Sequence, residues 1–158
     1  NAVILHLVGY SLANLAAFVA VIAFYNATAK DEVSDFAGLA DRNPFIAMAL
    51  TASFFSLAGL PFFAGFISKF YLFIAAANED LLWLAGLAIV NSLISLYYYL
   101  VVIRQMYIQP AEDGSPVRVS LVTGGLLAAL VVGTIAVGVY PSPLVDIIET
   151  ATAVILPT

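Results

Sequence analysis

The chain has no cysteine, which excludes disulfides, iron–sulfur clusters and thiolate metal sites. Charge is scarce as well: Asp, Glu, Lys and Arg together make up 9% of the residues, against about 25% in an ordinary soluble domain. Its five Lys and Arg residues are too few to build a phosphate-binding surface, so nucleic acid is not expected as a partner. There is a single histidine, and no glycine-rich phosphate loop, catalytic triad or pair of catalytic carboxylates appears, so neither a cofactor nor a metal is expected to bind this chain. An initiator methionine is missing too. The first residues, Asn1-Ala2-Val3, lead straight into an apolar run with no basic segment or small-residue cleavage site before it. That run is therefore not a signal peptide, and the chain is expected to be a piece of a longer protein.

Apolar residues are what the chain has in excess. They account for 63% of it, more than a core of this size could bury, so lipid must cover the remainder. Four apolar stretches span about 2–25, 45–77, 81–108 and 119–140. Each reaches the ~20 residues that a membrane-crossing helix needs. Polar, turn-like segments separate them.

The second stretch is too long for one straight crossing. At 1.5 Å per residue it would run to roughly 50 Å, against a hydrocarbon core of ~30 Å. Gly59-Leu60-Pro61 lies near its middle and Gly65 follows, and proline inside a helix removes a backbone donor and clashes with the preceding turn. The stretch is thus either a hairpin of two short spans or one span broken near 59–61. Loop charge favours the second reading. Lys30 and Arg42 lie in the first separator, Arg104 and Arg118 flank or occupy the third, and the second separator and the tail have no basic residue. A single crossing puts all of these on one side, which the positive-inside rule makes cytoplasmic. Both chain ends then fall on the outer side. After Pro141-Ser142-Pro143, the spacing of Leu144, Ile147, Ile148, Ala151 and Ile155 predicts a short amphipathic helix over about 143–156, lying at the outer interface. The expected fold is all-α and integral to the membrane: four transmembrane helices, the second discontinuous, and a short C-terminal amphipathic helix. The whole chain, 1–158, reads as one transmembrane helical region.

Lys69 is the one basic residue well inside an apolar stretch. An ammonium in hydrocarbon costs at least ~2.5–3.5 kcal/mol on insertion scales and normally faces a bundle interior or a wet cavity. Burial disfavours the charged form of an amine, so such a lysine can exchange its proton under physiological conditions, as a proton relay requires. The alternative is a lysine that snorkels to the interface along its stem. Broken backbone at membrane depth survives only where protein or water satisfies it, and Ser53, Ser56 and Ser68 could supply hydroxyls there. On the third stretch Asn91, Ser95 and Tyr99 fall at i, i+4 and i+8, with Ser92 and Tyr98 beside them. Such a row can line a proton path, or it can simply glue helices together. Glue is the reading taken for Ser92 and for Asn14 with Ser11. His6 is of interest as a titratable side chain, but it sits close to the outer end without a metal-ligand partner, and it is not counted among the site residues. Trp83, next to the outer loop, fits an aromatic belt.

One ordered series carries a family resemblance: Ser34-Asp35-Phe36-Ala37-Gly38-Leu39, Arg42-Asn43-Pro44, Ser56-Leu57-Ala58-Gly59-Leu60-Pro61, Ala64-Gly65-Phe66-Ile67-Ser68-Lys69-Phe70-Tyr71 and Tyr97-Tyr98-Tyr99-Leu100. The series resembles the antiporter-like membrane subunits of respiratory complex I, NADH:quinone oxidoreductase, and within them subunit N, the bacterial counterpart of mitochondrial subunit 2. The resemblance extends over nearly the whole chain, including Gly138-Val139-Tyr140-Pro141-Ser142-Pro143-Leu144. It implies the last four spans of a longer subunit in the bacterial plasma membrane, with the other membrane subunits of complex I and the lipid bilayer as partners. It also implies a proton-translocating role without redox chemistry or a cofactor in this chain. Lys69 is the proton-relay lysine by motif match, and the family's other essential ionisable residues lie on spans outside this chain. Phe62, where the family often has proline or a small residue, and Ser68, where it often has glycine, bear on the shape of the break. Two other readings remain open: a subunit of a cation/proton antiporter complex or membrane-bound hydrogenase, which share the ancestral fold, and a structural membrane scaffold.

Overall fold

A computed structural model describes residues 1–111 and 113–155. The described residues are helical and contain no strand: α1 Ala2–Thr28, a 3-10 turn Val33–Phe36, α2 Leu39–Arg42, α3 Pro44–Ala58, α4 Ala64–Asn78, α5 Leu82–Ile108, α6 Leu121–Val139 and α7 Ser142–Ile155. Three of these, α1, α5 and α6, are long and apolar enough to cross a membrane, whereas α3 and α4 are shorter apolar helices. Leu156, the last residue of the expected interfacial helix, lies outside the described residues.

α1 forms the spine. Ala13, Ala16, Ala17, Ala20 and Ala23 are all buried, and their small side chains let α3 and α4 approach closely, as small residues do in membrane bundles. Gly9 extends this seam, since a Cβ there would come within 3.2 Å of the Cβ of Ala64. The densest packing lies where α1 ends: Phe24 stacks on Phe36 with ring centroids 4.2 Å apart, and Leu39, Ile46, Leu50, Met106 and Leu127 close around them.

That end is also where the two basic separators meet. Gly38 N–H donates to Gln105 O at 3.1 Å, Val117 N–H to Arg42 O at 3.2 Å, and Arg42 Nε to Ser115 O at 3.0 Å. Asn43 has two tasks. Its Oδ1 accepts from Ile46 N–H at 3.0 Å, capping α3 ahead of Pro44, and its Nδ2 donates to Val117 O at 2.8 Å. In the same loop, Ser115 hydroxyl and amide donate to Asp113 and hold its carboxyl below the usual carboxylate range. The segment read from sequence as a plain separator is thus folded into two short helical pieces and locked to its neighbour. At the opposite end Thr152 Oγ1 donates to Asn1 Oδ1 at 2.8 Å, tying α7 to the start of α1.

The apolar residues of α7 divide between two sides. Leu144, Val145, Ile148 and Thr152 turn toward the bundle, while Ile147 is 65% exposed and Ala151 is also outward. Ser11 and Asn14, both on α1, form no side-chain hydrogen bond to another helix among the described residues, so the glue expected of them is not seen there.

The break spans residues 59–63. Gly59 takes φ +86°, a left-handed conformation that costs glycine nothing. Phe62 takes φ +75°, an uncommon position for a bulky residue, and leaves its ring 75% exposed. A proline, fixed near φ −65°, could not occupy position 62 in this geometry. The position noted at Phe62 is thus one whose backbone geometry suits glycine and excludes proline. Gly138 of α6 seals it from the side: a Cβ there would overlap the Phe62 carbonyl oxygen and the Phe63 backbone. Phe62→Gly is expected to raise unfolding stability in detergent by about 1 kcal/mol, the cost of a non-glycine residue in left-handed geometry. Phe62→Pro is expected to lower the melting temperature, and thermal unfolding of the two variants checks both.

Candidate functional site

Breaking a helix orphans four carbonyls at one new end and four amides at the other. No water is available in hydrocarbon, so each has to find a partner in the protein. The sequence provides for all four carbonyls of α3. Leu60 N–H returns to Phe55 O at 2.9 Å and Gly59 N–H to Ser56 O at 3.0 Å, the pairing of a Schellman turn with glycine at its left-handed position. The last two carbonyls, Leu57 O and Ala58 O, accept from Lys69 Nζ at 2.9 and 3.3 Å. A cation at the carboxyl end of a helix is also favoured by the helix dipole.

Lys69 reaches back because it lies a turn and a half into α4, and because Gly59 leaves room. A Cβ at position 59 would meet Lys69 Cδ at 3.1 Å and Nζ at 3.4 Å. The reverse cap comes from α3: Ser56, fully buried, accepts Gly65 N–H on its hydroxyl at 3.1 Å. Each half-helix thus satisfies the other's end. The close approach that this requires explains Gly65, where a Cβ would collide with the Ser56 carbonyl oxygen.

The third N–H of Lys69 donates to Ser92 Oγ on α5 at 2.9 Å. Ser92 is therefore a direct partner of the lysine, and the bond ties α5 to α4 as the glue reading expects. The assembly faces a cavity of about 280 Å³ lined by Lys69, Ser56, Gly65, Asn91, Ser92, Ser95 and Tyr99, with His6 and Tyr10 from α1 opposite. Asn91, Ser95 and Tyr99 do share one face, as their spacing predicts. Tyr99 stacks on Phe54 with centroids 4.9 Å apart, and Ser95 Oγ donates to Asn91 O at 3.0 Å. Tyr98 is not part of this group; it is 64% exposed and packs edge-on against Tyr97. Ser53 is buried but donates to Ala49 O at 2.8 Å, one turn below the break.

His6 is the residue that sequence reasoning set aside. Its Nδ1 lies 3.1 Å from Ser68 Oγ, and Ser68, fully buried, also donates to Gly65 O at 3.3 Å. The cavity is therefore lined by an imidazole and an amine, the first hydrogen-bonded to the Ser68 hydroxyl and the second to the Ser92 hydroxyl. The missed signal was the register of α1 against α4: the small residues that bring Gly9 onto Ala64 also bring His6 onto Ser68, one helical turn further on. Among the described residues no cluster of three or more metal-ligating side chains occurs.

The described residues form an all-helical apolar bundle of membrane-protein character, with a lysine on a broken helix beside a cavity lined by polar groups. The sequence pattern of the family described as NADH:quinone oxidoreductase/Mrp antiporter, TM, matches residues 1–95, and the chain belongs to that family. It is 43% identical over 150 residues to NADH-quinone oxidoreductase subunit N of Moorella thermoacetica, a match that covers 92% of this chain and 31% of that protein. The Mrp complex of a Dietzia species superposes with a TM-score of 0.86 at 26% identity, over 96% of this chain and 37% of the other. Respiratory complex I from Thermus thermophilus with bound aureothin superposes with a TM-score of 0.74 at 26% identity, over 87% and 33% respectively. The chain spans under a third of the length of the curated relatives it matches first.

The close approach at the break gives a direct test. Gly65→Ala is expected to destabilise the chain by at least ~3 kcal/mol, because the clash is with backbone and no side chain can yield. Gly86→Ala on the open face of α5, where a Cβ meets nothing within 4 Å, is expected to be neutral or stabilising by up to ~1 kcal/mol. Thermal melts of the two variants in the same detergent separate the effects.

Proposed function

We propose that this chain is the lysine-bearing part of a proton-translocating subunit N of an NADH:quinone oxidoreductase. It crosses the bacterial plasma membrane four times, with α3 and α4 as one interrupted span and α7 an amphipathic helix at the outer interface. The observation that carries the reading is the lysine itself: an ammonium held at a broken helix by two carbonyls and a hydroxyl, open to a cavity lined by polar groups from α1 and α5. The meeting of both basic separators at one end of the bundle supports a single crossing by α3 and α4.

In this reading, electron transfer from NADH to quinone takes place in other subunits, and this chain binds no redox cofactor. Lys69 accepts a proton, holds it against the carboxyl end of α3, and releases it toward the cavity. Asn91, Ser95 and Tyr99, with His6 across from them, hold the path along which it moves. The fixed dipoles around Nζ stand ready for the charge before it arrives, so little reorganisation is needed. The Mrp superposition, the higher of the two TM-scores, supports a second reading as a cation/proton antiporter subunit. Sodium dependence of transport distinguishes the two.

The test uses the intact complex. Lys69→Arg keeps a cation at the break but cannot give up its proton. It is expected to assemble normally and to lose NADH-driven proton pumping, measured by quenching of a pH-sensitive dye in vesicles. Lys69→Met is expected to lose both pumping and thermal stability. Pumping at the wild-type level in Lys69→Arg would overturn the reading.

Topology is tested separately, and the absence of native cysteine makes labelling direct. Asp31→Cys and Gly114→Cys are expected to react with a membrane-impermeant maleimide from the cytoplasmic side only, and Glu79→Cys from the outer side only. Labelling of Asp31→Cys and Gly114→Cys from opposite sides would restore the hairpin reading.

A further inference from the structure

The three partners of Lys69 Nζ differ in kind. Leu57 O and Ala58 O are carbonyl oxygens, which accept and never donate. Ser92 Oγ is a hydroxyl, with lone pairs to accept on and one proton to give. The charged amine has three N–H groups, and the three partners receive all of them. The neutral amine has two N–H groups and a lone pair. Both N–H groups can stay on the carbonyls, but the lone pair needs a donor, and among these partners Ser92 alone has one.

A second observation concerns what the Ser92 hydroxyl does not do. Thr51, Ser53, Ser95 and Thr134 each donate to the carbonyl four residues earlier on their own helix, the usual habit of a hydroxyl in a membrane helix. Among the described residues Ser92 makes no such bond; its one hydrogen bond accepts from Lys69. Its proton is uncommitted. Ser92 and Lys69 also both line a second cavity of about 220 Å³, walled by Leu60, Phe70 and Phe73, so the pair stands between two open spaces.

We propose that Ser92 is the reversible partner of Lys69: its hydroxyl accepts from the ammonium and turns to donate to the neutral amine. This rests on the reading of Lys69 as a proton carrier. On release, one N–H bond at Nζ breaks, the proton passes to water in the cavity, and the electron pair stays on Nζ. Rotation about the Ser92 Cβ–Oγ bond then brings its O–H to that pair. Reprotonation reverses both movements, and Ser92 itself neither gains nor loses a proton. Every N–H and lone pair of Nζ finds a partner in both charge states, so neither state leaves the amine with an unmet group in a low-dielectric site. Ser92 is thus a positioning residue for the proton step. The other titratable groups facing the cavity are His6 and Tyr10 of α1 and Tyr99 of α5; α3 contributes hydroxyls and carbonyls, and α6 has no titratable side chain.

The experiment compares Ser92→Ala and Ser92→Thr with the wild type in the intact complex. Two quantities are measured: the pH dependence of Lys69 acetylation by acetic anhydride, followed by mass spectrometry, and the pH profile of NADH-driven pumping. Ser92→Ala is expected to displace the acetylation midpoint by about one pH unit and to lower pumping roughly tenfold, the scale of one hydrogen bond to a charged group. Ser92→Thr, which keeps the hydroxyl, is expected to restore both. An acetylation curve left unmoved by Ser92→Ala, or displaced equally in Ser92→Thr, overturns the proposal. A displaced curve in Ser92→Ala alongside wild-type pumping in Lys69→Arg upholds the pairing and overturns the carrier reading instead.

Discussion

A helix interrupted within an apolar bundle exposes backbone groups away from water, and how those groups are satisfied fixes the arrangement of α3, α4 and their neighbours. At the end of α3, two carbonyls turn back into a Schellman pairing and two are taken by the Lys69 ammonium. Leaving a buried acceptor without a donor costs about 1–3 kcal/mol, and an isolated ammonium at that depth is costly in its own right. Bringing the two together relieves both at once. The lysine is therefore part of the scaffold, and the bonds that stabilise the break surround the atom that, in the proposed function, carries the proton.

The rest of the bundle serves that juncture. Ser56 caps the start of α4 from α3, and Gly65 allows the approach. Gly138 lets α6 lie directly on the break. At its other end α3 is capped by Asn43, which also grips the loop between α5 and α6. α3 is thus a short rod fixed at both ends, one fixing built from neutral amide contacts and the other from the Lys69 ammonium. A change of charge on Lys69 acts on one end of that rod while the opposite end stays anchored.

Much of this could be read before the fold was known. Composition and run length gave the helices to within a few residues. Gly59 and Pro61 located the break, and the depth of Lys69 singled it out. The i, i+4, i+8 spacing placed Asn91, Ser95 and Tyr99 on one face of the cavity. The failures share a cause. Ser92 and His6 sit on helices whose rotation relative to α4 is set by tertiary packing, which spacing within a single helix cannot reveal. His6 appeared peripheral because its distance was counted to the end of its own helix. Tyr98 was included because it neighbours Tyr99 in sequence, although consecutive residues on a helix point about 100° apart. On α7 the apolar residues form a broad arc, and contact with the start of α1 selects which part of the arc turns inward.

The central claim is that the Lys69 ammonium satisfies the carbonyls at the end of α3. Isotope-edited infrared spectroscopy of the intact subunit, with a ¹³C=¹⁸O label at the Leu57 carbonyl, measures this directly. Replacing Lys69 with Met removes the donors while keeping much of the side-chain length. The account predicts that the labelled band moves to higher frequency in Lys69→Met, as a carbonyl does on losing a charged donor, and stays near its original position in Lys69→Arg. A band unchanged between wild type and Lys69→Met would contradict it.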